Sequence, residues 1–374
     1  SDVLAKLPHA LAGHPLFLEL VRRHRPDLPQ ALHDIHRFMQ DAIYRDLAEA
    51  ERKVMKQASM FEVPLPRSVM LSLTGSSHEF LQDLEDRALI RVVGSERYEI
   101  HDTIRDFLQS ILTPDERETY SRLAATKLRE LASAASGTEG LLQSIAYLSN
   151  ALHVTQAPPQ RAELCEALGD ANERIGDLFS MSAAYREGLR LVSEPMAKAR
   201  IHRKLALALA DRGYVAAARV EVENGIASLG ERDGLELGWL SLAQARIAKS
   251  DWDWKATETC AVKALALFER HDDPAGRAHA LFEAGHAASW TGTVSPEGKP
   301  LDALRFHAAL ELAREMHDPV LEARVHLAMA ASIGYGSGDY EEGIAHYRAV
   351  ESSRDAMADP SIGPLLYADR AWFL

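Results

Sequence analysis

From about Arg161 onward the chain repeats itself, and this limits what it can fold into more than any other feature. Small turn residues close one helix-like pattern and open the next at Gly176-Asp177-Leu178, Arg212-Gly213-Tyr214, Ser250-Asp251-Trp252 and Gly338-Asp339-Tyr340. The first three of these turns follow one another at intervals of 37 residues. Small residues upstream fall at Gly169, Ala206, Ala243, Gly285, Ala331 and Ala368, and the last two are again 37 apart. A helical hairpin needs a small residue where its helices cross, a turn at fixed distance, and large apolar residues facing the next hairpin. One hairpin cannot bury its apolar face but a stack can, so a period of this length predicts an α-solenoid. Within it, Trp239, Leu242 and Ala243 are expected to pack on Ala256, Cys260 and Ala264, and Leu168 and Gly169 on Met181 and Tyr185. Thr291 to Pro300 reads as an insertion between helices.

These residues partly match a short consensus, and roughly Arg161 to Leu374 resembles the tetratricopeptide repeat. Gly338-Asp339-Tyr340 with Ala345 and Tyr347 is the fullest instance, and Glu116 to Val154 reads as a divergent helical pair ahead of the array. In arrays of this kind the first helix of each hairpin lines a groove. His279, Phe282, His286 and Trp290 are spaced for one side of such a helix, flanked by Gln244 and Ile247 on one side and Ser332 and Tyr335 on the other. Histidine and aromatic groups suit a peptide or small ligand. Phe282 and Trp290 fit plain packing between repeats equally well.

The first third of the chain has a different rhythm. An amphipathic helix from Ser1 to about Arg25 is interrupted at Ala12-Gly13-His14-Pro15, and Pro26 and Pro29 mark a linker. Leu32, Ile35, Met39, Ile43 and Leu47 keep a helical step, and a further helix covers Glu49 to Met60 until Pro64 and Pro66. Two short helices, Arg67 to Leu73 and Ser77 to Arg87, come next, with Ser76 or Ser77 as a cap. Strand-like runs at Leu89–Val93 and Arg97–Ile100, joined by Gly94-Ser95-Glu96, precede a helix from His101 to Leu112. Helices followed by a two-stranded wing predict a winged helix. The expected fold class is mainly α: a short helical segment, a winged helix and an α-solenoid. The expected domains are 1–28, 29–113, a linking pair at 114–157, and an array at 158–374.

Two motifs bracket the winged helix: Leu11-Ala12-Gly13-His14-Pro15-Leu16 and Tyr98-Glu99-Ile100-His101-Asp102. Their order and separation resemble the signal-transduction ATPases with numerous domains. The resemblance implies that Pro15, supported by Gly13, contacts adenine, and that His101, with Asp102 beside it, reaches the β-phosphate of ADP. It further implies that ADP or ATP binds in a parent protein, that the nucleotide-binding module of that protein is this chain's partner, and that an inducer molecule or protein occupies the repeat groove. Read without the resemblance, His101 caps its helix and Gly13-His14-Pro15 is a plain helix break.

A phosphate-binding loop needs Gly-x-x-x-x-Gly-Lys-Ser/Thr, so that amides and a lysine surround the phosphates. The only Gly-Lys here, Gly298-Lys299, is followed by Pro300. The chain is therefore not expected to be an enzyme by itself. His24, His33 and His36 lack a complete ligand set, so no metal is expected. The two cysteines, Cys165 and Cys260, cannot build a disulfide framework. With no signal peptide and no span-length apolar run, this predicts a cytoplasmic protein without a membrane partner. Ser1 is not methionine and the chain ends within an apolar stretch, so it reads as part of a longer protein.

Net charge is −13, which disfavours nucleic acid. The would-be recognition helix carries Glu79, Asp83, Glu85 and Asp86 against Arg87, whereas a major-groove helix calls for Arg, Lys, Asn or Gln. A sensor and autoinhibitory part of a regulatory ATPase is thus the leading expectation. A stand-alone repeat scaffold is the alternative, with a DNA-binding regulator third.

Overall fold

The computed structural model describes residues 44–371 apart from 75–77, 95, 136, 231–233, 337 and 360. Gly13, His14 and Pro15, the histidines at 24, 33 and 36, and the Ser76/Ser77 cap all lie outside the described residues. The chain forms two compact units, divided between Ala184 and Tyr185.

The first unit begins with a helical turn at Tyr44–Asp46 and helix α1 (Glu49–Ala58). Strand β1 (Leu65–Pro66), helices α2 (Arg67–Thr74) and α3 (His78–Asp86), and strands β2 (Arg91–Val93) and β3 (Arg97–Glu99) follow. Then come α4 (Asp102–Ser110), α5 (Pro114–Ala134), α6 (Gly137–Val154), α7 (Pro158–Ile175) and the start of α8 (Leu178–Leu191). β2 and β3 pair antiparallel with Val92 opposite Tyr98.

The small sheet has one strand more than the expected two-stranded wing. β1 lies along the other side of β3 with Leu65 opposite Tyr98, giving the order β1-β3-β2. Proline is tolerated on an edge strand because it has no N–H to give the ladder, so the segment read as a helix stop is also a sheet edge. Leu65 and Tyr98 face a core containing Met55, Met70, Leu81, Leu84, Ile104, Phe107 and Leu128. Leu164 and Ala171 of α7 belong to the same core, so packing continues past residue 157. α5 starts with a capping box, Thr113 and Glu116 bonding reciprocally around Pro114. Lys56 of α1 holds Glu116 at 2.8 Å.

The second unit holds the end of α8 and α9 (Pro195–Ala210), α10 (Val215–Leu229), α11 (Leu235–Ser250), α12 (Trp254–Arg270), α13 (Pro274–Thr291), α14 (Leu301–Glu315), α15 (Pro319–Gly336), α16 (Tyr340–Ser352), α17 (Arg354–Met357) and α18 (Ile362–Ala371). From α9 to α16 each hairpin packs on itself, and the first helices α9, α11, α13 and α15 are successive neighbours. This is the helical-repeat solenoid that the period predicts. Aspartates at the turns start the second helices: Asp253 accepts from the amide of Ala256 at 3.0 Å and Asp339 from that of Glu342 at 3.1 Å.

The turns share a left-handed residue, at Gly176 (φ 82°), Gly213 (81°), Trp252 (60°) and Gly338 (72°). The third turn lies where the period assigns it, between the end of α11 at Ser250 and the start of α12 at Trp254, with Trp252 as its left-handed residue.

Small residues do mark the crossings, though the large partner was not foreseen. Phe268 of α12, fully buried, lies against Gly238 of α11 and Gly276 of α13. Phe306 of α14 lies against Gly285. Leu242 and Ala264 share a cluster with Phe268 and Ala280, with Trp239 against it, while Cys260 packs on Ala245, Ala261 and Ala284. Ala206 and Ala243 are buried, but Ala331 is only half-buried and Ala368 is exposed, so the crossing pattern fades toward the end. The insertion is a compact loop between α13 and α14, closed by a bridge from Val294 to Pro300.

A Cβ on Gly276 would stand 2.3 Å from Phe268 Cδ1, whereas one on Gly363 in α18 would meet nothing within 4 Å. Gly276→Ala is accordingly expected to destabilise the unit by about 2 kcal/mol. Gly363→Ala should stabilise it by up to about 1 kcal/mol through backbone entropy. Urea unfolding of both variants checks the pair.

Candidate functional site

Three groups of polar and aromatic side chains stand apart from ordinary packing, two in the second unit and one in the first.

In the second unit the face shared by α11 and α13 is held together by charge. Glu283 of α13 is 2% exposed. Its carboxylate accepts from Arg246 Nε at 3.2 Å and Lys249 Nζ at 2.5 Å, both on α11. Burial alone would raise its pKa, but Lys249 and then Arg246 outweigh it and hold the carboxyl at about 2. The Lys249 ammonium also lies 5.7 Å over the ring of Phe282. Phe282 meets His286 edge-on at 4.7 Å, and His286 meets Phe306 at 5.7 Å. Further along the same layer, Arg203 of α9 sits 5.6 Å over Trp239 of α11 and bonds Glu236 at 2.6 Å. Trp239 in turn meets His279 of α13 at 6.0 Å. The first helices are thus joined by a ladder of cation, ring and carboxylate contacts.

His279 and His286 are each held down to about 4, by burial first, then by Arg246 for His279 and Lys249 for His286. At neutral pH both are uncharged rings, able to give one hydrogen bond and accept another.

The groove residues divide as follows. His279, Phe282 and His286 share one stretch of α13, but Phe282 is buried and serves packing. Gln244 on α11 is half-buried, while Ile247 is only 2% exposed and belongs to the core. Ser332 on α15 donates to Asp302 of α14 at 2.5 Å. Tyr335 lies in α15, and its side chain is outside what the structure describes. Trp290, 59% exposed, joins a different group. It stacks on Trp254 at 5.2 Å with 7° between the planes, and Trp252 meets both rings edge-on at 6.0 and 5.8 Å.

Arg246, Lys249 and Glu283 were missed. Arg246 and Glu283 are opposite charges 37 residues apart, one repeat interval, and that spacing is the signal that could have found them.

Among the described residues Trp252 is the one tryptophan at a left-handed backbone, a conformation that strains bulky residues by about 1–2 kcal/mol. Trp252→Gly should release that strain while losing two edge contacts worth about 1 kcal/mol each. The expected change in melting stability is near zero, unlike the loss of several kcal/mol typical of a buried tryptophan.

In the first unit His101 caps α4. Its Nδ1 accepts from the amide of Thr103 at 3.3 Å, which leaves the ring proton on Nε2. Asp102 is exposed and pairs with Arg105 at 2.6 Å, and Arg105 also donates to the carbonyl of Ile100 at 3.0 Å. The outward face of α3 shows Glu79, Gln82, Asp83 and Asp86 to solvent. Arg87 is held by Glu51 at 3.0 Å and Asp83 at 3.3 Å.

Among the described residues no group of three or more His, Cys, Asp or Glu side chains could hold a metal ion, and no helix is long and apolar enough to cross a membrane. No family model and no curated protein matches the sequence. Solved structures do match. A signal transduction ATPase with numerous domains with a tetratricopeptide repeat sensor, from Pyrococcus horikoshii, is 15% identical with a TM-score of 0.52, over 97% of this chain and 57% of that one. Aspartyl phosphate phosphatase F from Bacillus subtilis is 13% identical with a TM-score of 0.53, over 90% of this chain and 82% of that one. The chain spans little more than half the length of the ATPase. At these identities the likeness is one of fold, and the chain is a helical-repeat protein of the architecture these structures share.

Proposed function

We propose that this chain is the sensing and autoinhibitory part of a regulatory ATPase of the signal-transduction type with numerous domains. The observation that carries the reading is the likeness of fold along 97% of the chain to such an ATPase with a repeat sensor. The ladder across α9, α11 and α13 supports it. A ligand that touches Gln244, His279 or His286 would act on helices already tied by buried charge, so its binding would be felt from one hairpin to the next.

In this reading the array takes an inducer, a peptide, protein or small molecule, and the wing-bearing unit holds a nucleotide-binding module closed around ADP. His101 would give its Nε2 proton to the β-phosphate beside the amides at the start of α4. Asp102, its charge offset by Arg105, would stand next to it, and Pro15 with Gly13 would contact adenine. When bound, ADP would supply the negative charge that His101 meets, and inducer binding would shift the balance toward the open form. The chain's own contribution is binding and positioning.

The test is ADP retention by the fuller protein carrying His101→Asn. Asparagine keeps a good helix cap but removes the imidazole donor. ADP release should accelerate about tenfold, the effect of losing one hydrogen bond to a charged group. Unchanged release would assign His101 to capping alone and favour a stand-alone scaffold.

A further inference from the structure

The three tryptophans at the α11–α12 turn are not explained by packing or by the nucleotide switch. Trp252 follows the last residues of α11, Trp254 opens α12, and Trp290 lies in the last turn of α13. Trp254 and Trp290 stack in parallel, with Trp252 edge-on to both. Trp252 is 70% exposed and Trp290 59%, although burying such rings is what usually holds tryptophan in a fold. Trp252 also occupies the left-handed position that Gly176, Gly213 and Gly338 fill in other turns. A bulky residue held where glycine would do points from strain to function.

The surroundings say what the rings would meet. Asp251 and Asp253, both exposed, flank Trp252 on either side. Asp251 pairs with Arg219 of α10, and Asp253 accepts from the amide of Ala256. Lys255 is the only cation from Ser250 to Ala256, and the whole chain carries −13. Ring faces carry the negative part of the aromatic quadrupole and attract cations, arginine above all because its planar guanidinium can stack. The exposure of Trp252 and Trp290 makes them open platforms, which suit a side chain laid flat from a peptide better than a small ammonium enclosed on every side.

We propose that this cluster is a docking site for a cationic peptide segment, with an arginine seated on the Trp252 and Trp290 rings and Asp253 beside it. The site needs no nucleotide and stands whether or not the ATPase reading does.

The test uses the full chain and a fluorescein-labelled peptide of alternating arginine and glycine, followed by fluorescence polarisation. Saturable binding is expected. Trp252→Gly and Trp290→Ala should each weaken it about fivefold, and Asp253→Asn, which keeps the cap, should weaken it about twofold. A peptide with glutamate in place of arginine should not bind. Trp252→Gly should keep the wild-type melting profile, so a loss of binding in it cannot be ascribed to unfolding. No saturable binding of the arginine peptide overturns the proposal. So does equal binding by wild type, Trp252→Gly and Trp290→Ala, or equal binding of the glutamate peptide. Sedimentation showing that wild type self-associates through these rings and Trp252→Gly does not would instead assign the patch to a second copy of the chain.

Discussion

Replacing Glu283 with alanine is expected to lower the unfolding free energy of the repeat unit by about 3 kcal/mol, among the largest losses any single change should produce. The carboxylate is 2% exposed and is the shared partner of Arg246 and Lys249. Its removal leaves two neighbouring cations of α11 turned toward α13 with no carboxylate to meet them. Breaking a buried pair from one side costs about 3–5 kcal/mol, because the remaining charge is stranded. Arg246 and Lys249 are each about a third exposed, which lets water reach them and sets the loss at the lower end. Glu283→Gln should recover part of it through shape and one accepting oxygen. Tryptophan fluorescence during urea unfolding is a selective readout, since the tryptophans among the described residues, Trp239, Trp252, Trp254 and Trp290, all belong to the second unit. An unchanged midpoint in Glu283→Ala would show that the ladder does not hold the helices together.

Acid should unfold the same unit well before ordinary carboxylates titrate. His279, His286 and His326 are each held at about 4, in every case by burial first. His326 and His346 face each other through Nδ1 at 2.8 Å, so they share one proton comfortably and resist a second. A histidine titrates near 6.5 when unfolded. Between that value and about 4 the unfolded chain binds protons that the folded chain refuses, so stability falls as pH falls across this window. It is fully present above about 6.5 and lost once pH passes below about 4. With three such histidines the loss is on the order of 4 kcal/mol, discounted for partial exposure. Glu283, held near 2, adds its own loss only below the ordinary glutamate range, so the window from pH 6.5 to 4.5 belongs to the histidines. The urea midpoint read by tryptophan fluorescence should drop steadily from pH 7 to pH 4.5. A flat midpoint over that interval would contradict the burial of these rings.

The architecture was largely legible in the sequence because a repeat states its geometry many times over. Glycine or aspartate at the turns and small residues at the crossings carry strict backbone demands, and those demands appear as letters. What failed to show were features with no distinctive letter. Trp252 takes a left-handed position that glycine usually marks, so the letters of Ser250-Asp251-Trp252 do not show which residue reverses the backbone. β1 is two residues long and contains a proline, which reads as a stop before it reads as an edge. Phe268 looked like one apolar residue among many, until Gly238 and Gly276 were found on either side of it. The groove was only half legible. Helical spacing puts His279, Phe282 and His286 on one stretch of helix, but spacing cannot tell a lining residue from a packing one, and Phe282 and Ile247 are buried. Trp290 shares their helix and joins the turn instead, because its partners, Trp252 and Trp254, come from the neighbouring hairpin.

The central claim, that the wing-bearing unit clasps an ADP-loaded module through the start of α4, is tested most directly by amide hydrogen exchange on the fuller protein. Exchange in the segment from Tyr98 to Leu108 should be slow with ADP bound and clearly faster when ADP is replaced by a non-hydrolysable ATP analogue. Identical exchange in that segment under both nucleotides would contradict the account.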